Sequence, residues 1–410
     1  MSKREISSDV VVIGAGPAGS IAAASLAQKG YSVSIVEKTP FPRFVIGESL
    51  LPRCNELLSR NGMLDAVKNA GYMIKHGAAF EGNHKLEKYD FSENIGQTYG
   101  SSYQVKREEF DQLLLDEAVK FGANLYKETE VVGFDPESSK VMAIDKNGDK
   151  IEFQTKFTVD ASGYGRVLPR LLDLDAPSEL EIRDAVFTRI KEDIRPEDGT
   201  DGYIYIFIHG NNDGWIWTIP FSDGTTSVGV VCTNDYFNSY GLSNEEFFDK
   251  IISETPGAKE RFSNAKKVVP VGKVDGYSAN VKAMHGKNYC LVGNATEFLD
   301  PVFSSGVTLA LESGDRAAMV IDKTLKGEDV DWNVEYVDYM MKGINVFREF
   351  VNAWYDGRLQ KVFFAPFKQE KIKRSISSIL GGYVWDDHNL FVKNPKDLLN
   401  AVIGQIEQAS

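Results

Sequence analysis

The sequence predicts an α/β fold: a Rossmann-type dinucleotide-binding domain, an inserted β-sheet domain and a helical C-terminal region. Three observations predict it. They are a strand–turn–helix–strand unit at residues 7–38, long aromatic strands between Ala185 and Val274, and a polar, helix-forming texture after Val330. In the first unit, residues 9–13 form a short apolar run, which reads as a buried strand. The run breaks at Gly14-Ala15-Gly16-Pro17-Ala18-Gly19, and an Ala-rich helix follows to Gln28. Gly30 caps that helix ahead of a second strand at 31–36. Gly14 allows the tight turn, Gly16 lets backbone approach a pyrophosphate, and Gly19 lets helix and strand pack closely. The helix N-terminus offers its free N–H groups to that phosphate. Glu37, followed by Lys38, closes the second strand about 20 residues on, where an acid can bind ribose hydroxyls. A lone GxGxxG is weak evidence; strand, turn, helix, strand and acid in this order are specific.

Composition narrows the function classes. A chain of 410 residues suits two intimately connected domains rather than one. Its formal net charge of −13 argues against nucleic acid, because phosphate binding needs a basic surface. Cys54, Cys232 and Cys290 have neither metal nor disulfide spacing, which suggests a reducing compartment. His76, His209 and His285 lack partners at ligand spacing, so no metal site is expected. The sequence has no apolar run of about 18 residues, and residues 1–5 are polar and lead straight into the first strand. No signal peptide and no membrane span are expected, and the location is read as cytoplasmic.

The remaining elements follow in order. After the apolar–ionic loop FPRFVIGESLLP (41–52) come a helix pair at 53–60 and 63–70 and a strand at 72–81. Residues 89–100 read as a loop or ragged strand pair. The helix at 108–121 carries Phe110, Leu113, Leu114 and Ala118 at the 3.6-residue period. Strands at 130–134, 141–145 and 151–153 are parted by Asp135-Pro136 and the hairpin signal Asn147-Gly148. This meander interrupts the Rossmann sheet, to which residues 157–161 return, ending in Asp160-Ala161-Ser162-Gly163. Strands at 185–190, 203–208, 215–220 and 227–232, with a helix at 244–254, form the second domain. A buried strand at 289–292 then runs into Gly293-Asn294-Ala295-Thr296 and a helix at 306–325, and a long helical region spans 330–360. The expected division is 1–75, 101–180 and 280–330 for the dinucleotide domain, 76–100 and 181–279 for the sheet domain, and 331–410 for the helical region.

The motif order carries a resemblance. GAGPAG with Glu37, the segment 104–111, DASG at 160–163 and GNATEFLDPVFSSG at 293–306 fall as they do in FAD proteins of the glutathione reductase/para-hydroxybenzoate hydroxylase type. FPRFVIGESLLP, GWIWTIP (214–220) and DPVFSSGV (300–307) narrow it: the chain resembles the flavin-dependent halogenases, nearest the branch acting on phenols or pyrroles. The similarity spans most of residues 8–325, and FREFVNAWYDGRLQKVFFAP (347–366) shares it.

The resemblance implies FAD as cofactor and a halide ion as co-substrate. It places Arg43, Gly47, Ser49, Gly163, Pro301, Ser305, Gly306 and Val307 at the flavin, Val131 near the adenine, and Lys75 as the essential amine. Residue chemistry supports several of these. Arg107 could reach the pyrophosphate as a charge-assisted donor, against the plainer reading of a helix-surface cation. Asn294 sits where a strand edge meets the pyrophosphate and ribityl chain. The backbone of 304–307 opens a helix whose N–H groups suit an anionic flavin edge and a halide.

Lys75 by itself reads as a solvated strand lysine. With the resemblance it becomes the amine that receives hypohalous acid, and burial would favour its neutral, nucleophilic form. Trp215 and Trp217, two apart on a strand, face one side; the pattern alone says core aromatics. The resemblance puts them beside the channel between flavin and substrate, where they keep substrate from the flavin. Two positions depart from the family. Asn294 replaces an aspartate, and Phe303 stands where tryptophan halogenases carry glutamate, which argues against free tryptophan.

The implied partners are a small aromatic substrate, free or carrier-tethered, and a separate flavin reductase, since no second nucleotide motif occurs. The basic segment 368–374 would dock an acidic carrier or form a solvated helix face. Rival readings keep the scaffold. An aromatic monooxygenase needs neither Lys75 nor the tryptophan pair, and a geranylgeranyl-reductase-like enzyme carries GYxWxxP in place of GWIWTIP. A flavin-binding protein without turnover would have Asn294 as its mark.

Overall fold

The first strand, β1 (Lys3–Ile13), is twice the length of the apolar run that announces it, because its polar first half is held by a neighbour. Strand Lys150–Asp160 pairs with it in parallel, from Lys3 opposite Lys150 to Ile13 opposite Asp160. That neighbour is one strand, where two were expected at 151–153 and 157–161. The polar stretch Gln154-Thr155-Lys156 hides its continuity, yet the register runs through it. The chain is a computed structural model that describes residues 3–82, 84–366 and 369–409. Lys368, at the head of the basic segment, lies outside them.

The parallel core orders Tyr289–Leu291, Lys150–Asp160, β1, β2 (Val33–Val36) and Asn124–Tyr126 side by side. Hairpin Thr129–Asp135/Lys140–Asp145 extends from the first half of Lys150–Asp160. Helix α1 (Pro17–Gln28) crosses helix Ser305–Leu325 at close range: a Cβ on Gly314 would stand 2.4 Å from the Ala18 carbonyl oxygen. The Gly turn behaves as its spacing requires. Gly14 has φ +98°, and a Cβ on Gly19 would lie 2.1 Å from the Gly14 oxygen.

The second sheet runs Lys266–Lys267, Arg183–Lys191, Thr225–Thr233, Gly214–Pro220, Ile204–His209, Gly77–Gly82 and Lys85–Asp90. Its strands alternate faces. Tyr205, Phe207, Ile216, Val228 and Val230 pack under helix Asn244–Glu254 through Phe247, Phe248 and Ile251. The opposite face turns Ile204, Ile206, Trp215 and Trp217 into the main core.

The expected strand at 72–81 is two strands in two sheets. β3 (Met73–Lys75) pairs with Ser102–Gln104, while β4 (Gly77–Gly82) joins the second sheet beside Ile204–His209. The apolar pattern runs on across His76, but the residues either side answer to different partners. Lys75 therefore ends a strand at the joint between the two sheets. After a π-helical turn at Asn333–Asp338, helices Tyr339–Tyr355, Arg358–Phe363 and Glu370–Leu380 cover that joint with Phe350, Trp354, Phe363 and Leu380. Among the described residues, no helix is long and apolar enough to cross a membrane.

Candidate active site

The cofactor side is a cradle of backbone. Gly16 ends the glycine turn, Pro17 takes the first position of α1, and Ala18 follows. A Cβ on Gly16 would meet one atom only, Arg43 Nη2 at 3.4 Å, so this glycine faces open space beneath a guanidinium. Gly293, at φ +58°, lies against Ala18 and brings the second motif to the same place. Glu37 accepts from the Ala15 N–H at 2.8 Å and the Thr39 N–H at 2.7 Å, which fixes its carboxylate beside the turn. The Asn294 side-chain amide makes no hydrogen bond among the described residues. Lys38 lies outside, paired with Glu130 at 2.6 Å. Val131 is buried with Ile13 and Val36, and Gly163 sits at φ +58° after Asp160, whose carboxylate accepts from the N–H groups of Ser162 and Leu168.

Arg107 is neither a surface cation nor free to reach a phosphate with its whole fork. It is 8% exposed. Its Nε and Nη2 hold both oxygens of Asp111 at 2.7 and 3.0 Å, and its Nη1 donates to the Ile46 carbonyl at 3.1 Å. Arg107 thus anchors loop 46–47, while Arg43, 3.7 Å from the same Asp111, overhangs Gly16. Two guanidiniums share one carboxylate, which leaves positive charge at the cradle. Farther along the loop, Glu48 is buried and paired with Arg189, which also holds Glu108; burial pushes the Glu48 carboxyl up against that pairing.

Two buried polar atoms mark the cradle's far end. Ser49 and Gln104 face each other across an isolated bridge, and Ser49 Oγ and Gln104 Oε1 have no protein partner. Buried polar groups are normally satisfied, and a bound ligand would satisfy these two. Open Gly16, the Arg43 cation and the Ser49/Gln104 pair fit FAD in that order. Gln104 opens the 104–111 segment that carries the resemblance, but motif reading does not single it out there as a site residue; the signal is a glutamine ending a strand just before the helix of Arg107.

Lys75 defines the second half of the site. Its side chain is 1% exposed, and Nζ donates to the Leu50 carbonyl at 3.0 Å and stands 5.3 Å over the Phe91 ring. It has no carboxylate partner among the described residues. Burial lowers its pKa to about 7, so free amine and ammonium coexist near neutrality. Around it, Ala78 and Phe80 of β4, Ile204 and Ile206 of the neighbouring strand, and Val302, Phe303 and Ser304 enclose a chamber of about 10 Å³. That is room for about one water molecule.

The tryptophan pair sits behind this chamber and ties both loops to it. Trp215 and Trp217 are 1% and 5% exposed with ring centroids 6.2 Å apart, on one side of their strand as expected. Trp217 lies across Gly229, where a Cβ would come within 2.2 Å of the indole, and it stacks on Phe187, which stacks on Phe44 of the 41–52 loop. Trp215 donates through Nε1 to Tyr355 Oη at 2.9 Å, and Tyr355 donates to Asp300 Oδ2 at 2.8 Å, as does Tyr277 at 3.1 Å. Asp300 Oδ1 accepts from the Val302 N–H at 3.0 Å and so fixes the turn Pro301–Phe303. Burial raises the Asp300 carboxyl, offset by these donors and by nearby Arg183. Ser304, at φ +56°, then starts helix Ser305–Leu325, whose first N–H groups, those of Ser305, Gly306 and Val307, have no intrahelical acceptor. Among the described residues, no cluster of His, Cys, Asp or Glu could hold a metal.

The chain is similar to known proteins along nearly its whole length. The FAD binding domain family matches residues 7–336. A 1H-pyrrole-2-carbonyl-[peptidyl-carrier protein] chlorinase of Pseudomonas fluorescens is 30% identical, over 97% of this chain and 94% of its own length. Among solved structures, a flavoprotein/dehydrogenase from Cytophaga hutchinsonii superposes with a TM-score of 0.94 at 43% identity, covering 98% of this chain and 99% of that one. A flavin-dependent brominase superposes with a TM-score of 0.84 at 26% identity, covering 98% and 100%.

Proposed function

The chain belongs to the FAD binding domain family and, within it, to the flavin-dependent halogenases, and from that premise we propose that it halogenates an electron-rich aromatic ring at Lys75. The observation that carries the reading is a lysine amine fully buried in an apolar chamber without an ion-pair partner, its pKa drawn down to about 7. Such a group costs stability, and perturbed titratable groups of this kind cluster at functional sites.

In this reading Gly14 to Gly19, Glu37, Arg43, Ser49, Gln104, Gly163, Asn294 and Pro301 to Val307 hold FAD. When bound and reduced, FAD supplies the electrons with which dioxygen oxidises halide to hypohalous acid. The free N–H groups at the head of helix Ser305–Leu325 hold the halide on the flavin side. The apolar chamber wall excludes water, which would otherwise disperse the oxidant. Nζ of Lys75, steered by the Leu50 carbonyl, receives the halogen as the free amine. An N–halogen bond forms and the hypohalous oxygen leaves as water, taking one amine proton. The ring then takes the halogen from Nζ and gives its own proton back to the amine.

Asp300, Tyr355 and Trp215 act as positioning residues, because their chain fixes the turn that forms the chamber floor and opens the halide helix. Among the described residues, the chamber lining offers no carboxylate to an amino-acid ammonium, and Phe303 presents a ring face instead. A pyrrole or phenol, free or carrier-tethered, suits it better than free tryptophan. Reduced flavin would come from a separate reductase in the cytoplasm. Exposed Lys371 and Arg374, with half-buried Lys373, would meet an acidic carrier.

The rival oxidoreductase that uses FAD without halide leaves the buried lysine without a task. The test incubates the FAD-loaded protein with a flavin reductase, halide and a panel of phenols and pyrrole amides, and reads product masses. Halogenated rings are expected. Hydroxylated or saturated products alone would contradict the reading.

A further inference from the structure

Two cavities lie on either side of one thin wall. The inner one is the Lys75 chamber, whose free volume of about 10 Å³ admits no aromatic ring; a cavity that takes up benzene measures about 150 Å³. The outer one is a groove of about 570 Å³ between loop 95–97 and segment 383–388. Leu51 and Leu380 line the chamber, while Arg53 and Tyr383 line the groove. Gly382 fills the space between them. A Cβ there would stand 3.3 Å from Leu51 Cβ and 3.0 Å from Arg53 Cβ.

The movable part of this wall is its side chains. Leu51 and Leu380 present only methyl groups to the chamber, so their side chains can swing aside without breaking a hydrogen bond. Gly382, at φ +89°, is the left-handed residue that ends helix Glu370–Leu380, and without a side chain it lets the segment pass close to Leu51 and Arg53. The segment itself is held: the N–H groups of Gly381, Gly382 and Tyr383 donate to the Ser377, Ile379 and Ser378 carbonyls at 2.8, 2.9 and 3.0 Å, and the Gly381 carbonyl accepts from the Arg53 N–H at 3.0 Å.

The groove's chemistry selects its ligand. The Trp385 indole is fixed by its N–H to the Tyr339 carbonyl at 2.8 Å and offers a flat wall. Asp386 Oδ1 accepts from the His388 N–H at 3.0 Å and pairs with His388 Nδ1 at 2.9 Å, while Oδ2 accepts from Gln97 Nε2 at 2.6 Å and keeps a lone pair for a ring N–H or O–H. Arg53, the groove's guanidinium, is occupied by Glu312 at 2.8 and 3.0 Å and by Glu56 at 2.8 Å. A neutral ring with a donor group finds partners here. An aryl carboxylate finds Asp386 and a spent arginine.

We propose that this groove is the entry vestibule to Lys75, with the Leu51 and Leu380 side chains as its door. It admits an electron-rich ring whose acyl group is an amide, ester or thioester, and it turns away the free aryl carboxylate. The inference rests on Lys75 being the place where the ring reacts.

Calorimetric titration of the FAD-loaded protein with pyrrole-2-carboxamide and with pyrrole-2-carboxylate tests binding apart from turnover. Saturable binding of the amide is expected, at least about tenfold tighter than the acid. Gln97→Trp narrows the groove, and His388→Trp does so from the exposed rim should the first variant disturb the loop. Either should weaken the amide at least about tenfold and raise the KM for ring halogenation, with FAD occupancy and reduced-flavin oxidation unchanged. No amide binding, equal binding of amide and acid, or groove variants that bind and turn over as wild type would each overturn the vestibule. Selective amide binding lost in the groove variants, in a protein that halogenates no ring, would support the vestibule and remove the halogenase reading instead.

Discussion

The cofactor cradle and the Lys75 chamber share the segment 300–307 yet are built from opposite materials. The cradle is backbone and charge. Its first part, the glycine turn, helix start and Glu37, is local in the chain, and among the described residues the Ser49 Oγ and Gln104 Oε1 atoms have no protein partner. The chamber is side chain and hydrocarbon, drawn from β4, the Ile204–His209 strand, the 302–304 turn and a C-terminal helix. In the first, the Arg43 guanidinium has a carboxylate, Asp111, 3.7 Å away. In the second, the same kind of charge is penalised, and Lys75 becomes a weak base. In the proposed reading, one fold offers a place for anions and, beside it, a place where an amine acts as a nucleophile.

Substitutions can break this contrast on either side. The largest effect is expected at Gly16. Gly16→Val should abolish FAD binding, because its side chain fills the open cradle, while the apo fold persists since the Cβ meets only the mobile end of Arg43. Flavin absorbance after gel filtration and a circular dichroism melt check both halves. Full flavin occupancy would sink the cradle assignment.

On the chamber side, Lys75→Met should abolish product and yet stabilise the fold. The folded-state pKa of Lys75 is lowered to about 7 from 10.5, so between those values the unfolded chain holds a proton that the native state does not. Stability therefore rises with pH across that window, and the cost of burying the lysine is greatest at and below pH 7. Lys75→Met should gain on the order of 4 kcal/mol near pH 7, with the gain vanishing as pH nears 10.5. Urea melts of both proteins at several pH values measure it. A variant less stable than wild type at every pH would mean that the lysine is not held as a free amine.

The smallest effect is expected at Asn294. Asn294→Asp should leave FAD binding equal or tighter, since its side-chain amide makes no hydrogen bond among the described residues and Arg43 brings positive charge to the cradle. A large loss of affinity, read by flavin fluorescence, would place this loop elsewhere.

The same contrast explains what could be read in advance. The cradle is local: turn, helix cap and acid fall within residues 14–37, and each glycine's role follows from its neighbours. The chamber is not. Lys75 belongs to a strand whose apolar pattern runs on past His76, so the change of sheet that buries the lysine leaves no mark in the periodicity. Resemblance, rather than pattern, singled it out. Tyr277, Tyr355 and Gly229 were missed because each acts across more than 10 residues, on Asp300 or on Trp217. Asp300 was seen as motif, but its work as the anchor of the 301–303 turn needs the tyrosines that only folding brings.

The most direct test of a halogen-transferring lysine follows two quantities in one experiment. Oxygen uptake and halogenated product are measured together for wild type, Lys75→Ala and Lys75→Arg, with reduced FAD, halide and an accepted ring. Both variants should consume reduced flavin and oxygen near the wild-type rate, because the cradle and the halide helix are untouched. Neither should form product, since alanine has no amine and a guanidinium stays protonated. Product that persists undiminished in Lys75→Ala would remove the lysine from the reaction.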